Sequence, residues 1–320
     1  MDKLNSFLRL IRIKNLFIIL LIQIVIKIFL IDSYLNTSAL SNFDFSIYLL
    51  ALISIVAGGY IINDIYDVET DKINKPEVII IDKDISKSSA ISAYYILNLI
   101  GISNGFYAAC QVDRLWFGSI FIFFAFSLWK YSKSYKTSFL FGNLQVAFLT
   151  ALSIISLALY DLAPVGITSE NGSTTIFYII LSYSGFAFIT TLIREIIKDL
   201  EDIEGDRRIG ANTLAINYGI DKTRKATAFL ILLPICAIAY FQHLQYNDLI
   251  SNIYINENFW WRNFIASLYT LSLQVLLIIL LIKVTRSNTK SEFHSLSKLC
   301  KIIILFGILS IPSFHLLYQN

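Results

Sequence analysis

The sequence is poor in the residues that build disulfide frameworks and zinc sites. It holds three cysteines and three histidines among 320 residues. Cys110, Cys236 and Cys300 are scattered, with neither paired nor metal-knuckle spacing, and the histidines stand in unrelated places. A disulfide scaffold and a zinc site built on cysteine or histidine are therefore not expected.

Charged residues are also scarce. They make up 15% of the chain, against 56% apolar residues, and the mean hydropathy is +0.65. This composition excludes a water-soluble fold of this size and places the chain in a lipid bilayer. Only four prolines occur, and low-complexity tracts are absent. The sequence predicts a single membrane domain over residues 1–320.

Long apolar runs predict nine membrane-spanning helices. A helix needs about 20 apolar residues to cross a hydrocarbon core of roughly 30 Å. No small-residue cleavage site follows the first run, so we expect it to be a retained span. The predicted spans cover residues 15–31, 46–64, 90–110, 115–131, 140–159, 174–194, 226–243, 263–282 and 299–317. We expect an all-α bundle around a central cavity.

The distribution of lysine and arginine predicts the orientation of these spans. Short basic loops stay on the cytoplasmic side, and an N-terminus inside places nearly all cations in alternate loops. The outer loops then hold only Arg114 and Arg262, while Lys27 lies near enough to the outer end of its span to snorkel. We therefore expect a cytoplasmic N-terminus and an external C-terminus. The net charge of +3 reflects this topology and does not indicate nucleic acid binding.

The second predicted span ends in an unusual run of acids, "NDIYDVETDKINKPE", from residue 63 to residue 77. At 100° per residue, Asn63, Asp64, Asp67 and Asp71 share an arc of about 100° on one helix face. Glu69 points elsewhere. Aspartates at a helix C-terminus oppose the macrodipole, and ionisable groups at a span boundary tend to be functional. The stripe therefore predicts a functional site.

A second acidic stripe follows the sixth predicted span, in "REIIKDLEDIEGDRRIGANTLA" from residue 194. On a continuous helix, one face collects Arg194, Glu195, Lys198, Asp199, Asp202 and Asp206. The three aspartates repeat Asp64, Asp67 and Asp71 at an offset of 135 residues. Four spans lie between the two stripes, so both face the same side of the membrane.

Two facing rows of aspartate predict a bound cation. Hard oxygen ligands in this number suit Mg²⁺, which is typically held by one or two carboxylates together with substrate phosphate oxygens. Arg194 and Lys198 lie on the acidic face, where they can contact phosphate. The expected ligand is a polyanion with an apolar tail, and a prenyl diphosphate fits this description. Mg²⁺ would neutralise charge on the leaving diphosphate.

These two motifs resemble those of the UbiA-type intramembrane prenyltransferases. The first is similar to their N-D-x-x-D-x-x-x-D motif and the second to their D-x-x-x-D motif, and the resemblance spans nearly the whole chain. It implies that the aspartates bind Mg²⁺ and that Asn63, Arg194 and Lys198 contact the diphosphate. The implied metal ligands are Asp64, Asp67, Asp71, Asp199, Asp202 and Asp206, of which Asp67, Asp71 and Asp202 are also the expected catalytic residues.

Two further segments resemble the same family. "RIKN" implies that Arg12 and Asn15 border the diphosphate, and "YSKSYKTSFLFGN" implies the same for Lys136 and Asn143. The alternative reading of Arg12 is a simple marker of the cytoplasmic side. The loop "NKPEVIIIDKDIS" departs from the family pattern because it lacks an Arg, a Pro and a Gly, although a turn is still expected at Pro76.

The resemblance leaves the acceptor open. The second motif is most similar to the digeranylgeranylglyceryl phosphate synthase branch. That likeness implies Mg²⁺-dependent transfer of a geranylgeranyl-like group to a lipid or alcohol acceptor such as geranylgeranylglyceryl phosphate. The alternative is an aromatic prenyltransferase of quinone or pigment biosynthesis. An ion-coupled transporter and a non-catalytic isoprenoid-diphosphate binder are further hypotheses. We expect a multi-pass protein of the cell membrane whose active site faces the cytoplasm.

Overall fold

The apolar runs fold into helices throughout the part of the chain that the structure describes. The structure is a computed structural model and describes residues 3–35, 37–74, 79–168, 170, 172–251 and 257–318. Within these ranges the only β-type pairing is an isolated bridge between Ile81 and Ile85. The described α-helices are α1 (Lys3–Leu10), α2 (Ile13–Ile26), α3 (Asp32–Tyr34), α4 (Asn42–Asn74), α5 (Lys87–Gln111), α6 (Ser119–Lys130), α7 (Phe141–Asp161), α8 (Ser173–Glu201), α9 (Ile203–Arg208), α10 (Leu214–Ser251), α11 (Glu257–Arg286) and α12 (Lys290–Tyr318).

Short irregular turns extend or bend several of these helices. A π-helical turn, Lys27–Ile31, joins α2 to α3, and a second one, Tyr131–Tyr135, continues α6 towards α7. A 3₁₀ turn, Leu115–Gly118, precedes α6. Helix α10 bends at Gly219, whose φ of 76° favours glycine. The turn predicted at Pro76 lies outside the described residues.

Eight helical stretches within the described ranges are long and apolar enough to cross a membrane. They match eight of the nine predicted spans. The remaining predicted span, residues 90–110, coincides with α5, which is 25 residues long but carries many polar side chains. Among them, Asn98 and Asn104 satisfy their amides by donating to carbonyl oxygens one turn back. The all-α membrane fold is confirmed, and the number nine stays a prediction.

Helix α4 is longer than a bilayer requires. Its 33 residues correspond to about 50 Å at 1.5 Å per residue, against roughly 30 Å for the hydrocarbon core. The surplus carries the first acidic stripe beyond the apolar part of the helix. This explains why the apolar part of α4 continues directly into the aspartates of the first stripe without a loop between them.

Helices that follow one another along the chain pack against each other in pairs, and the last described helix joins these pairs together. Helix α4 packs on α5, α7 on α8, and α10 on α11, while α12 returns to pack against α8 and α2. Aromatic side chains fill the contact among α4, α6 and α7, where Tyr48, Phe121 and Tyr160 are fully buried. Their rings lie 5.2 to 6.0 Å apart between centroids. This packing fixes α4 and α7 relative to each other and thereby positions the polar side chains at their other ends.

The prediction that Lys27 snorkels to the membrane surface was wrong. Lys27 is 2% exposed, and its Nζ lies 2.8 Å from both Asp32 Oδ1 and Asp161 Oδ2. Asp161 also accepts a hydrogen bond of 2.8 Å from the backbone N–H of Leu40. A buried ammonium is tolerated here because two carboxylates compensate its charge. No local pattern indicates Asp161 as a partner, because it lies 134 residues away from Lys27 along the chain.

Candidate active site

One cavity of about 890 Å³ opens among α2, α4, α7, α8 and α12. Apolar side chains line its deeper part, including Ile18, Leu52, Val56 and Phe124, and polar side chains crowd its mouth. A volume of this size accommodates a ligand with an extended apolar tail. All predicted site residues line this cavity: Arg12, Asn15, Asn63, Asp64, Asp67, Asp71, Lys136, Asn143, Arg194, Lys198, Asp199, Asp202 and Asp206.

The first acidic stripe is held by cations from outside α4 and by one amide of α4 itself. Arg12 Nη2 lies 2.7 Å from Asp64 Oδ1, and its guanidinium sits over the Tyr60 ring, 5.0 Å from the centroid. Asp67 accepts a hydrogen bond of 2.5 Å from Asn63 Nδ2 and forms an ion pair with Lys136. Arg12 takes a left-handed backbone conformation, with φ 53°, between α1 and α2. The aspartates therefore lie in an ordered network of partners.

The second acidic stripe does not lie on one continuous helix. Helix α8 ends at Glu201, and Asp202 adopts φ −99° and ψ 9°, after which the short helix α9 begins. Asp206 therefore reaches the cavity from α9, and the prediction of one unbroken helical face through Asp206 was wrong. A local break of this kind leaves no strong signal in a run without Pro. The break still brings Asp199, Asp202 and Asp206 to the same cavity.

A tight turn before α7 positions Lys136 and Asn143. Asn143 Nδ2 donates to Asp199 Oδ2 at 2.8 Å, so it links α7 to the second stripe. Gly142 makes the turn possible, because a Cβ at this position would lie only 2.6 Å from the backbone oxygen of Tyr135. The Gly-Asn pair of the sequence thus has a steric reason for its glycine and a hydrogen-bonding reason for its asparagine.

Glu195 is a site residue that sequence reasoning left out of the predicted set. It is 7% exposed, and its carboxylate receives Arg194 Nη1 at 2.8 Å on one oxygen and Lys198 Nζ at 2.9 Å on the other. Both cations line the cavity. The sequence already places Glu195 on the helix face that carries Arg194 and Lys198. Its i,i+3 spacing to Lys198 is the sequence signal that indicates an ion pair between them.

Lys301 is a second residue missing from the predicted set. It lies on α12, lines the cavity, and donates from Nζ to Asn15 Oδ1 at 3.2 Å. From the sequence alone, Lys301 is one of the lysines and arginines that indicate the cytoplasmic side. Its approach to α2 depends on the packing of the last helix against the first membrane helix, which no local pattern reveals.

Asp71 lies beyond the membrane-spanning part of α4, and its acidity is altered by the site. The pKa of Asp71 is raised to about 6, first by burial and then by the charge of Asp67, while Lys136 opposes the rise. Asp71 is therefore poised to exchange a proton near neutral pH. A bound cation would favour its ionised form.

The donor set fits a hard divalent cation such as Mg²⁺. Six aspartates line one cavity, and carboxylate oxygen is the ligand type that Mg²⁺ prefers. Within the described residues no three carboxylate, histidine or cysteine side chains already converge on one point. Cations and amides directly engage Asp64, Asp67 and Asp199. The aspartates therefore supply the type of donor that Mg²⁺ prefers, although the described side chains do not converge on one point in this arrangement.

Comparison with known proteins identifies the family. A model of the UbiA prenyltransferase family matches residues 28–299. The digeranylgeranylglyceryl phosphate synthase of Methanobrevibacter smithii is 34% identical over 198 residues, which are 61% of this chain and 66% of that protein. The chain thus spans slightly less than two thirds of that relative's length.

Solved structures share the fold over nearly the whole chain. One solved structure superposes with a TM-score of 0.62 at 25% identity. It is described as giving structural and mechanistic insights into the biosynthesis of digeranylgeranylglyceryl phosphate synthase in membranes. It covers 97% of this chain and 98% of its own. A UbiA homolog from Archaeoglobus fulgidus bound to GPP and Mg²⁺ superposes with a TM-score of 0.55 at 15% identity, over 96% of this chain and 99% of its own. The chain belongs to the UbiA prenyltransferase family.

Proposed function

We propose that the protein transfers a geranylgeranyl-like group from its diphosphate to a hydroxyl of a lipid acceptor such as geranylgeranylglyceryl phosphate, in a Mg²⁺-dependent reaction. The observation that carries the proposal is the cavity itself, where six aspartates from two separated motifs meet above an apolar interior. Two likenesses support it: the relative named as a digeranylgeranylglyceryl phosphate synthase and the related structure bound to GPP and Mg²⁺.

In this proposal the aspartates hold the Mg²⁺–diphosphate headgroup. The ligands are Asp64, Asp67 and Asp71 on α4, with Asp199, Asp202 and Asp206 on α8 and α9. When bound, Mg²⁺ neutralises the negative charge that develops on the leaving diphosphate. The side chains of Lys136, Arg194 and Lys198 supply charge-assisted hydrogen bonds to the phosphate oxygens that the metal leaves uncovered.

The apolar interior serves the other end of the substrate. Ile18, Leu52, Val56 and Phe124 line the region where the prenyl chain would lie. They exclude the water that would otherwise quench an allylic cation. The acceptor hydroxyl loses its proton as the new C–O bond forms, and the proposed proton acceptor is a carboxylate oxygen of Asp71 that would not be engaged by the metal.

We further propose that the site opens to the cytoplasm of a cell membrane. The support is the concentration of lysine and arginine in the loops on the side of the aspartates. Both substrates would then reach the headgroup site from the inner leaflet.

The direct experiment is a transfer assay with the purified chain in nanodiscs. Radiolabelled geranylgeranyl diphosphate is offered with geranylgeranylglyceryl phosphate, homogentisate or hydroxybenzoate, each in Mg²⁺ and in EDTA. The proposal predicts Mg²⁺-dependent product with the glyceryl phosphate acceptor. Product from an aromatic acceptor alone, or equal turnover in EDTA, would contradict it.

A further inference from the structure

Charge is distributed unevenly across the cavity. The aspartates of α4 and α9 occupy one part of the mouth, whereas Lys301 of α12 lies among cations. The charged groups that act most on the Lys301 ammonium are Arg194, Lys198 and Arg12, with Glu195 as the opposing carboxylate. The cavity therefore has a basic wall, formed by Arg12, Arg194, Lys198 and Lys301, beside its aspartates.

The basic wall carries more positive charge than its own carboxylates neutralise. Arg12 is paired with Asp64, and Arg194 and Lys198 share the single carboxylate of Glu195. The partner of Lys301 is the neutral side chain of Asn15, and within the described residues no carboxylate forms an ion pair with it. Among the described residues, Lys301 is therefore the cation of this wall that no carboxylate pairs with, and its positive charge is not compensated.

An uncompensated ammonium near a guanidinium suits an anionic group that binds without a metal. A phosphate monoester carries close to two negative charges at neutral pH and is bound directly by lysine and arginine side chains. The donor diphosphate, in contrast, is proposed to reach the aspartates through Mg²⁺. Two anionic headgroups repel each other, so a separate basic wall lets both occupy one cavity.

We propose that Lys301, together with Asn15 and Arg194, forms a subsite for the phosphate monoester of the acceptor. The inference deepens the proposed function and rests on it. It reassigns Asn15 and Arg194 from the diphosphate contacts to the acceptor, and it leaves Lys136 and Lys198, which adjoins Asp199, with the diphosphate. Anchoring the phosphate at this wall holds the glyceryl hydroxyl, only a few bonds away, beside the diphosphate. The subsite also selects against acceptors that lack a phosphate.

The test compares Lys301→Met with Lys301→Arg and with Lys298→Met. Lys298 is exposed on the same helix, one turn earlier, and does not line the cavity. In nanodiscs with Mg²⁺, Lys301→Met is expected to raise the KM for geranylgeranylglyceryl phosphate about tenfold to a hundredfold, the range for a lost charge-assisted hydrogen bond. The KM of Lys301→Met for geranylgeranyl diphosphate should stay unchanged. Lys301→Arg should restore most of the native KM for geranylgeranylglyceryl phosphate, and Lys298→Met should behave as the native chain.

A binding measurement separates this inference from the proposed function. Binding of geranylgeranylglyceryl phosphate is measured by calorimetry in EDTA, beside the same glyceryl ether without its phosphate. Tighter binding of the phosphorylated form, lost in Lys301→Met, supports the subsite even where no transfer is detected. If the native chain transfers the prenyl group but Lys301→Met raises only the KM of the diphosphate, or binds both ethers as the native chain does, the subsite is refuted while the function stands.

Discussion

Glu195 fixes the direction of two cations that face the substrate headgroups. Its two oxygens separate Arg194 from Lys198, and both would repel each other without it. We expect Glu195→Gln to lower kcat/KM for the prenyl diphosphate at least about tenfold, since hydrogen bonds to charged groups contribute roughly 1.5–3 kcal/mol. Steady-state kinetics in nanodiscs check this. The matched control is Glu69→Gln. Glu69 pairs with Lys72 but its side chain is 79% exposed, and such exposed pairs contribute little to stability. Equal losses of kcat/KM in both variants would refute the role of Glu195.

Asp71 sets the expected response of metal binding to pH. Burial and the charge of Asp67 raise the pKa of Asp71 to about 6, so this carboxylate becomes neutral as the pH falls below that value. A metal ligand must be deprotonated. The apparent Kd for Mg²⁺ should therefore increase by up to about tenfold per pH unit below 6 and be flat above 7. Calorimetric titrations between pH 5 and 8 measure this Kd. In Asp71→Asn the Kd should no longer rise in this way below pH 6. A pH profile unchanged by that substitution would contradict the assignment of Asp71 as a metal ligand.

At the scale of the elements, the turn between α6 and α7 depends on one glycine. A methyl group at Gly142 would meet the backbone oxygen of Tyr135 at 2.6 Å, whereas one at Gly185 in α8 meets nothing within 4 Å. Gly142→Ala should push α7 away from the turn and displace both Lys136 and Asn143. We expect a loss of activity and a lower Tm. Gly185→Ala should keep activity and raise stability slightly, by about 1 kcal/mol or less. Thermal unfolding and transfer assays compare them; a fully active Gly142→Ala variant would show that the turn adapts.

Helix positions followed from the sequence more readily than helix ends and tertiary partners. Apolar runs and the helical repeat placed the first stripe on one face of α4, because that helix is continuous through Asp71. The same repeat failed at Asp206, since the helix breaks at Asp202, where no proline stands, and the nearby Gly205 lies within α9. The ion pair between Lys27 and Asp161 and the bond between Lys301 and Asn15 join distant segments. Packing decides such contacts, so local patterns carry no trace of them.

At the scale of the whole molecule, the distribution of charge predicts an orientation. The aspartates and most basic loops should face the cytoplasm, and the C-terminus should lie outside. A reporter fused after Tyr318 is expected to score as external, and one inserted next to Gly210, in the turn after α9, as internal. Both reporters on one side would require a different number of crossings and would make α5 the first helix to re-examine.

The central claim is that two acidic motifs act together on one Mg²⁺–diphosphate complex. Calorimetric binding of geranylgeranyl diphosphate to the intact chain in nanodiscs tests it most directly, in Mg²⁺ and in EDTA. The native chain and Glu69→Gln should bind in Mg²⁺ and lose binding in EDTA. Asp67→Asn and Asp202→Asn, one in each motif, should each weaken binding at least as much as the roughly 10–100-fold loss seen when a supporting partner of a metal ligand is removed. Native affinity in either aspartate variant, or tight binding by the native chain in EDTA, would contradict the account.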